Sequence, residues 1–252
     1  MAFPTQSALL STTGPKYLTR ADNALLDFGT GAFTLELWIK LAATGAGGRA
    51  LDKRDSGGAG AGYTYYVAGS DRMSLYCGNG STAEAVTATN GIPDTEWHHI
   101  AVTRSSNTIT HYLDGVANGT GSLTINIDTG ATFAVGYVVS EADGAINARV
   151  VLVRVWKVAR TEAEILANYC TILGTQTSLS AEWTLDNTVD DNSGNSLTLT
   201  NVNSVTFGAD VPATCSVSGP ANLKTYNTNV KANIKSMNTN LIANVKTFDT
   251  NA

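Results

Sequence analysis

Residues 97–115 read WHHIAVTRSSNTITHYLDG and hold two short runs in which apolar and polar side chains alternate. Successive side chains of a β-strand point to opposite faces of a sheet, so the alternation predicts two strands, HHIAVTRS and NTITHYL. Asp114 and Gly115 follow the second run, and an Asp-Gly pair suits a two-residue hairpin turn because both residues must adopt positive φ. The stretch therefore predicts that the second strand turns back into a third.

Strand-like runs of the same kind continue through residues 1–210. FTLELWIKL (Phe33–Leu41) alternates, and INARVVLVRVWKV (146–158) is almost continuously β-branched, as expected of a strand in the middle of a sheet. One face of the first run would carry Phe33, Leu35, Leu37 and Ile39. YTYYVAG, RMSLYCG, SAEWTLDN and SLTLTNV are shorter runs. We expect an all-β protein, with two antiparallel sheets packed as a jelly-roll sandwich.

One helix is predicted, in ARTEAEILANY. Thr161 is its N-cap, and Glu164 stands three residues later, which is the spacing of a capping box. Ile165, Leu166 and Tyr169 would form its apolar stripe. We expect this short helix to cap the sandwich.

Composition and charge narrow the class of protein. The chain has 252 residues, of which 43% are hydrophobic and 15% charged, and its length suits one all-β domain with an appendage or two small domains. Residues 221–252 carry four lysines and one aspartate, a net +3, so the rest of a chain of net charge −5 carries −8. An acidic body is a poor nucleic-acid binder. No run reaches the roughly 18 apolar residues of a membrane span, and the start, which lacks a signal sequence, predicts synthesis inside the cell without processing.

The cysteines are Cys77, Cys170 and Cys215. Three unpatterned cysteines argue against a disulfide framework and against a zinc site, which needs closely spaced pairs. Buried free thiols are favoured, and one bridge between Cys170 and Cys215 is the alternative.

The segments FTLELWIK, WHHIAVTR, YLDGV, VRVWKVARTEAEI and AEWTLDN…DNSGN, in this order, resemble the laminin-G-like, concanavalin-A-like lectin/glucanase superfamily over residues 8–208. The most specific part is Trp97-His98-His99, followed by Tyr112 and the Asp-Gly turn. The resemblance implies a jelly roll with the helix at one edge, and it makes both histidines packing residues. The same fold hosts sugar binders, glycosidases, adhesion modules and scaffolds.

Catalytic residues are not apparent. Glycoside hydrolysis needs two carboxylates about 5–9.5 Å apart, which a strand provides at positions i and i+2 or i+4. Glu36 has no such neighbour, and Glu162 and Glu164 lie in the first turn of the helix, where acids complement its dipole. His98 and His99 are adjacent on a strand and cannot bind one ion together. We expect no catalytic residue and no cofactor, and hence no enzyme.

One loop and one tyrosine-rich segment contain weaker candidates for binding calcium or a sugar. LDNTVDDNSGN (185–195) offers Asp186, Asp190 and Asp191 as calcium ligands, although such residues are also ordinary turn formers. A sugar platform would need exposed aromatic rings near polar side chains, and the tyrosine-rich segment 61–80 holds Tyr63, Tyr65, Tyr66 and Tyr76 with Asp71 and Asn79. Tyrosines at strand spacing usually pack inside, so no sugar site is assigned.

The chain ends in an eleven-residue repeat, LKTYNTNVKAN, IKSMNTNLIAN and VKTFDTNA. Its apolar positions are Leu223, Tyr226, Val230, Ile234, Met237, Leu241, Val245 and Phe248. Their mean spacing fits a right-handed helical supercoil, whereas the Asn/Thr content favours short strands joined by turns, and both structures stay open. Neither buries enough apolar surface to offset ordering entropies of ~1–2 kcal/mol per residue, so this tail is predicted to pack on another protein chain. A tail folded back on its own sandwich is the alternative.

We therefore expect a sandwich at residues 1–210, a linker at 211–222 and an oligomerising or anchoring tail at 223–252. Tails of this type on laminin-G-like domains resemble those of predicted bacteriophage structural proteins. The leading hypothesis is a non-enzymatic virion protein, such as a capsid decoration, fibre or adhesion module, that assembles with itself and with other virion proteins. The alternative is a carbohydrate-binding lectin module of a cell surface or filament. Host-surface glycans are possible ligands of both.

Overall fold

The computed structural model describes residues 2–215 of the chain, which contain fifteen β-strands and two short helices. The strands are β1 (Ser7–Leu10), β2 (Tyr17–Arg20), β3 (Phe33–Leu41), β4 (Gly48–Arg54), β5 (Gly62–Val67), β6 (Arg72–Gly78), β7 (Ala83–Gly91), β8 (Trp97–Ser105), β9 (Thr108–Leu113), β10 (Val116–Ser122), β11 (Phe133–Val135), β12 (Ala148–Trp156), β13 (Leu179–Trp183), β14 (Thr200–Val202) and β15 (Thr206–Gly208). A 3-10 helix covers Ala24–Leu26, and helix α1 covers Glu162–Asn168.

The strands form two antiparallel sheets. The eight-stranded sheet has the order β10-β9-β8-β3-β12-β1-β15, with β13 also paired to β12. The seven-stranded sheet has the order β14-β2-β11-β4-β5-β6-β7. The hairpin predicted at 97–115 is confirmed, because β8 pairs with β9 and Asp114 and Gly115, at φ 51° and 79°, turn the chain into β10.

The main core lies between the sheets. Phe33, Leu35, Leu37 and Ile39 are all fully buried there, as the alternation predicts. Trp183 of β13 is the largest fully buried side chain, and its indole N–H donates to the carbonyl of Leu197 (2.7 Å). The two-sheet, all-β jelly-roll architecture with one short α-helix is thus confirmed.

The opposite face of the eight-stranded sheet is covered rather than exposed. Residues 159–174, which include α1, lie over Thr34, Glu36 and Trp38 of β3, and the Trp38 indole N–H donates to the carbonyl of Tyr169 (2.7 Å). Thr161 and Glu164 form the predicted capping box. Leu166 does not join the buried stripe and is 47% exposed. The reason is geometric, since adjacent helical residues are about 100° apart and Ile165 takes the inward position.

Cys170 and Cys215 form a disulfide, with their Cα atoms 5.1 Å apart. The expectation of free thiols is therefore wrong for these two residues and right for Cys77, which is buried and unpaired. Burial raises the pKa of the Cys77 thiol well above its usual range. Spacing could not show the bridge, because it joins residues 45 positions apart that meet only after the sheet has formed.

The repeat residues Leu223 to Phe248, and most of the predicted linker, lie outside the described residues. The first part of that linker packs on the sandwich, since Val211 and Cys215 contact a small apolar cluster that includes Phe3 and Trp38. The domain boundaries and the tail interface stay predictions.

Candidate functional site

Strands β4, β5 and β6 lie side by side and turn polar and aromatic side chains away from the core. Tyr63 and Tyr65 of β5 are fully buried between the sheets, and their hydroxyls donate to the carbonyls of Leu26 and Ala101 (3.1 Å each). Alternation then directs Thr64 and Tyr66 to the outer face. Tyr76 has the same orientation on β6, because its neighbours Leu75 and Cys77 are in the core.

A β-bulge in β4 brings an arginine to this face. Arg49 pairs with Tyr66 and Leu51 with Tyr65, so Ala50 is an extra residue between them. In a regular strand Arg49 and Leu51, two positions apart, would point to the same side, into the core. The guanidinium of Arg49 instead lies over the Tyr66 ring, 4.6 Å from its centroid. This distance is typical of a cation–π contact.

These side chains line a depression of about 280 Å³, which we call the outer-face pocket. It is lined by Arg49, Arg54, Gly57, Gly58, Thr64, Tyr66, Tyr76 and Glu141. Arg54 lies over the Tyr76 ring (5.2 Å), pairs with Glu141 (2.8 Å) and donates to the carbonyl of Gly57 (3.0 Å). The Tyr76 hydroxyl donates to the carbonyl of Gly58. This side of the pocket is therefore held in place by contacts within the protein.

Arg49 differs from Arg54 in its partners. Within the described chain, Arg49 forms no ion pair, and its Nε is buried without a hydrogen-bond partner. Its fixed contacts are the Tyr66 ring and a backbone hydrogen bond from its N–H to the carbonyl of Gly144 (2.9 Å). The Arg49 guanidinium thus retains donors that no acid of residues 2–215 contacts in an ion pair.

Asp52 lies on the same face, behind Thr64. The Thr64 hydroxyl donates to Asp52 Oδ1 (2.5 Å), whereas Oδ2 is buried without a partner. Burial raises the pKa of Asp52 to about 7, although the Thr64 hydrogen bond and the charges of Arg54 and Arg49 oppose the shift. The carboxyl group is therefore largely protonated below neutral pH.

This pKa predicts the effect of Asp52→Asn on stability. Because the folded-state pKa is raised, the native protein loses stability as the pH rises from about 4 through 7. The asparagine variant escapes this loss, and its free energy of unfolding at pH 8 should exceed that of the wild type by about 1–4 kcal/mol, with little difference at pH 4. Urea denaturation at both pH values measures the change. The exposed Asp55→Asn is the control, and an equal effect of Asp52→Asn at both pH values would contradict the assignment.

A second, more open depression of about 380 Å³ adjoins the outer-face pocket and shares Arg49 and Tyr66 with it. Much of its lining is glycine. Gly48 has φ 141°, and a Cβ there would lie 2.7 Å from Ile146, so a larger residue would be strained and would clash.

A third depression, of about 450 Å³, lies beside α1. Its charged lining residues are Arg160 and Glu164, and both already bond to neighbouring groups. Its aromatic residue, Trp156, is only 5% exposed. This depression therefore has fewer free polar groups and less exposed aromatic surface for a ligand than the outer-face pocket.

The residues singled out in the tyrosine-rich segment separate in the structure. Tyr66 and Tyr76 reach the outer-face pocket, whereas Asp71 accepts hydrogen bonds from the Gly45 N–H, and Asn79 accepts them from the N–H groups of Ser81 and Thr82. Strict alternation along YTYYV could have identified Tyr66 from sequence. Sequence reasoning missed Arg49, Asp52, Arg54 and Glu141.

The predicted calcium ligands make separate contacts. Asp186 accepts from the Thr5 hydroxyl, and Asp190 accepts from Thr188. Asp191 accepts from backbone N–H groups, including those of Glu182 and Leu197. Across residues 2–215, no three His, Cys, Asp or Glu side chains are grouped as metal ligands would be. Calcium binding by this loop stays a prediction.

His98 and His99 contact different acids. His98 lies 2.7 Å from Asp114 and 3.1 Å from Asp94, and the hydrogen bond to Asp114 raises the pKa of His98 despite partial burial. His99 lies 3.4 Å from Glu36 on the covered face of the sheet. The structural role implied by the resemblance agrees with these contacts.

Glu36 and Glu182 are two carboxylates that lie far apart in the sequence and meet in the fold. Both contact Arg154, at 3.5 Å and 2.8 Å, and both are fully buried. Glu36 also accepts from the Trp156 indole N–H (2.8 Å) and contacts Arg160 (3.2 Å). The cluster is closed by protein groups, so it has no room for a substrate.

No helix in the described part of the chain is long and apolar enough to cross a membrane.

Among solved structures, the sandwich is similar to a Bacteroides ovatus protein assigned as carbohydrate binding, with a TM-score of 0.64 at 16% identity, over 82% of this chain and 60% of that protein's length. It is also similar to the native heptameric SAP-like pentraxin of Limulus polyphemus, with a TM-score of 0.57 at 16% identity, over 85% of this chain and 98% of the pentraxin. At such identities the likeness shows the fold.

A comparison with curated proteins found no match to this chain. Residues 12–166, which are more than half of the chain, match the sequence family described as the concanavalin A-like lectin/glucanases superfamily. The sequence match and the two-sheet sandwich agree, and the chain belongs to the concanavalin A-like lectin/glucanase superfamily.

Proposed function

We propose that this protein is a non-enzymatic carbohydrate-binding module that holds a saccharide in the outer-face pocket. The observation that carries the proposal is the pairing of half-buried Tyr66 and Tyr76 with the guanidinium groups of Arg49 and Arg54. Aromatic faces and a few placed polar groups are what a small-molecule site requires. The carbohydrate-binding assignment of the similar Bacteroides ovatus protein supports the same function.

The absence of catalysis is part of the proposal. Glycoside hydrolysis requires two carboxyl groups that flank the scissile bond. The outer-face pocket has Glu141, which is paired with Arg54, and Asp52, which is buried behind Thr64. Binding without bond cleavage is the simplest use of such a pocket.

Tyr66→Ala tests the proposal. We expect the full chain to bind members of a glycan array, and the variant to lose about tenfold in affinity for them, because the ring supplies both contact area and the support of Arg49. Tyr17→Ala is the matched control, since Tyr17 stacks on Tyr137 elsewhere on the same sheet. Equal binding by the wild type and Tyr66→Ala would exclude the pocket, and no binding to any glycan would exclude the function.

The finer assignment to a virion rests on the C-terminal repeat, residues 223–252. In this proposal the sandwich is displayed outward, and the tail joins copies of the chain or anchors them to other virion proteins; display on a cell surface or filament is the alternative. The Cys170–Cys215 disulfide supports exposure to oxidising surroundings.

Deletion of residues 221–252 should leave a folded sandwich that no longer assembles, as native mass measurement would show. Normal assembly of the truncated protein would refute this division.

A further inference from the structure

The charges of the outer-face pocket do not balance. Arg54 is neutralised by Glu141 at 2.8 Å, whereas Arg49 has no acidic partner within residues 2–215. Asp52 is the remaining acid of this face, and it is buried behind Thr64 with Oδ2 unpaired. The pocket therefore presents one uncompensated cation to whatever enters it.

The position of Arg49 is fixed on two sides. Its guanidinium rests over the Tyr66 ring, and its aliphatic part passes so close to Gly144 that a Cβ on that glycine would lie 2.7 Å from Arg49 Cγ. A guanidinium held in place presents its N–H fork in one plane, because the group is planar, and this suits an oxyanion with two acceptor oxygens. A neutral hydroxyl would satisfy fewer of these donors.

We propose that the outer-face pocket selects an acidic saccharide, whose carboxylate or sulfate group pairs with Arg49 while its ring lies against the tyrosines. The inference rests on the proposed carbohydrate binding and narrows it to one ligand class. Arg49 receives the anion, because Arg54 already has Glu141 and the Gly57 carbonyl as acceptors. A carboxylated and a sulfated sugar share this chemistry, and the experiment separates them.

Asp52 makes the selection dependent on pH. The charged groups near it are Arg49 and Arg54 on its own strand and Glu141 in the loop above, while β5 contributes Thr64 and β11 contributes the apolar Ala134 opposite it. Burial raises the pKa of Asp52 to about 7. Above that pH the ionised carboxylate adds a negative charge beside the anion site, so an acidic ligand should bind more weakly.

The test uses the full chain and isothermal titration calorimetry with four probes: trigalacturonic acid, its methyl ester, galactotriose and a sulfated galactotriose. We expect an acidic probe to bind at least tenfold more tightly than the ester and the neutral sugar. Arg49→Gln should abolish this difference, and Arg49→Lys should restore part of it. Whichever acidic probe binds more tightly identifies the preferred anion.

The pH arm compares the wild type with Asp52→Asn. Between pH 6 and pH 8.5, wild-type affinity for the acidic probe should fall by at least threefold, and the affinity of the variant should stay constant. Equal affinities for acidic and neutral probes, both lost in Tyr66→Ala, would overturn the acidic preference and leave carbohydrate binding intact. Failure to bind all four probes and every glycan of the array would overturn both. Thermal melting of each variant establishes that it is folded.

Discussion

Replacing Glu36 with glutamine is expected to lower the free energy of unfolding by about 3–5 kcal/mol. Glu36 is fully buried and accepts bonds from Arg154, Arg160 and the Trp156 indole. Glutamine keeps the shape of the side chain but removes the charge that these two arginines face. Arg154 keeps Glu182 at 2.8 Å, but Arg160 loses the carboxylate with which it pairs. A buried cation without its counter-charge is strongly unfavourable, which makes this one of the largest effects we expect.

The same residue should govern acid stability. Burial raises the pKa of Glu36, but the combined effect of Arg154, His99 and Arg160 lowers it by more. The pKa of Glu36 therefore lies well below the usual range of a glutamate. Because the folded-state pKa is depressed, the contribution of Glu36 is fully present above about pH 4.5 and is lost as the pH falls below that value. Wild-type stability should therefore drop steeply with acid, and Glu36→Gln should show a shallower dependence.

Urea denaturation between pH 3 and pH 7, followed by tryptophan fluorescence, measures both effects. Glu96→Gln is the matched control, since Glu96 is 76% exposed and pairs with Lys40 at 3.7 Å. Its loss should change stability by less than about 1 kcal/mol. If Glu36→Gln were as mild as Glu96→Gln, the buried cluster would not stabilise the sheet as described.

Loss of the Cys170–Cys215 disulfide should have an effect of similar size. The bridge closes a loop of 45 residues, and the chain-entropy relation then gives a stabilisation of about 4 kcal/mol. The double variant Cys170→Ser/Cys215→Ser should lose roughly this amount in urea denaturation. The wild type in reductant should approach the same value.

Thiol counting checks the pairing itself. Under denaturing conditions without reductant, alkylation and intact mass should show one modified cysteine, Cys77, because the other two are bridged. Prior reduction should raise the number to all three cysteines of the chain. Three modified cysteines without reductant would exclude the disulfide, and wild-type stability of the double variant would exclude its structural role.

Much of the fold could be predicted from sequence. The alternation in Phe33–Leu41, the Asp114-Gly115 turn and the Thr161 capping box were all confirmed. Each of these features depends on residues a few positions apart, so its geometry follows from local backbone periodicity.

The candidate site was less predictable. The sequence places Tyr66 and Tyr76 among the candidates for an aromatic platform, but it does not indicate their arginine partners. Arg49 reaches the outer face because of the bulge at Ala50, and a bulge is decided by how two strands pair. Glu141 meets Arg54 from a loop that is distant in sequence.

The sequence by itself determined which segments become strands, where α1 begins and which face of each regular strand is apolar, because these properties repeat every two or about 3.6 residues. Tertiary structure alone decided that Glu36 meets Arg154, 118 residues away, that Cys170 meets Cys215, and that Arg49 lies over Tyr66. These contacts depend on strand order and register across the sheets. Burial of the whole apolar face selects that register, and no local pattern encodes it.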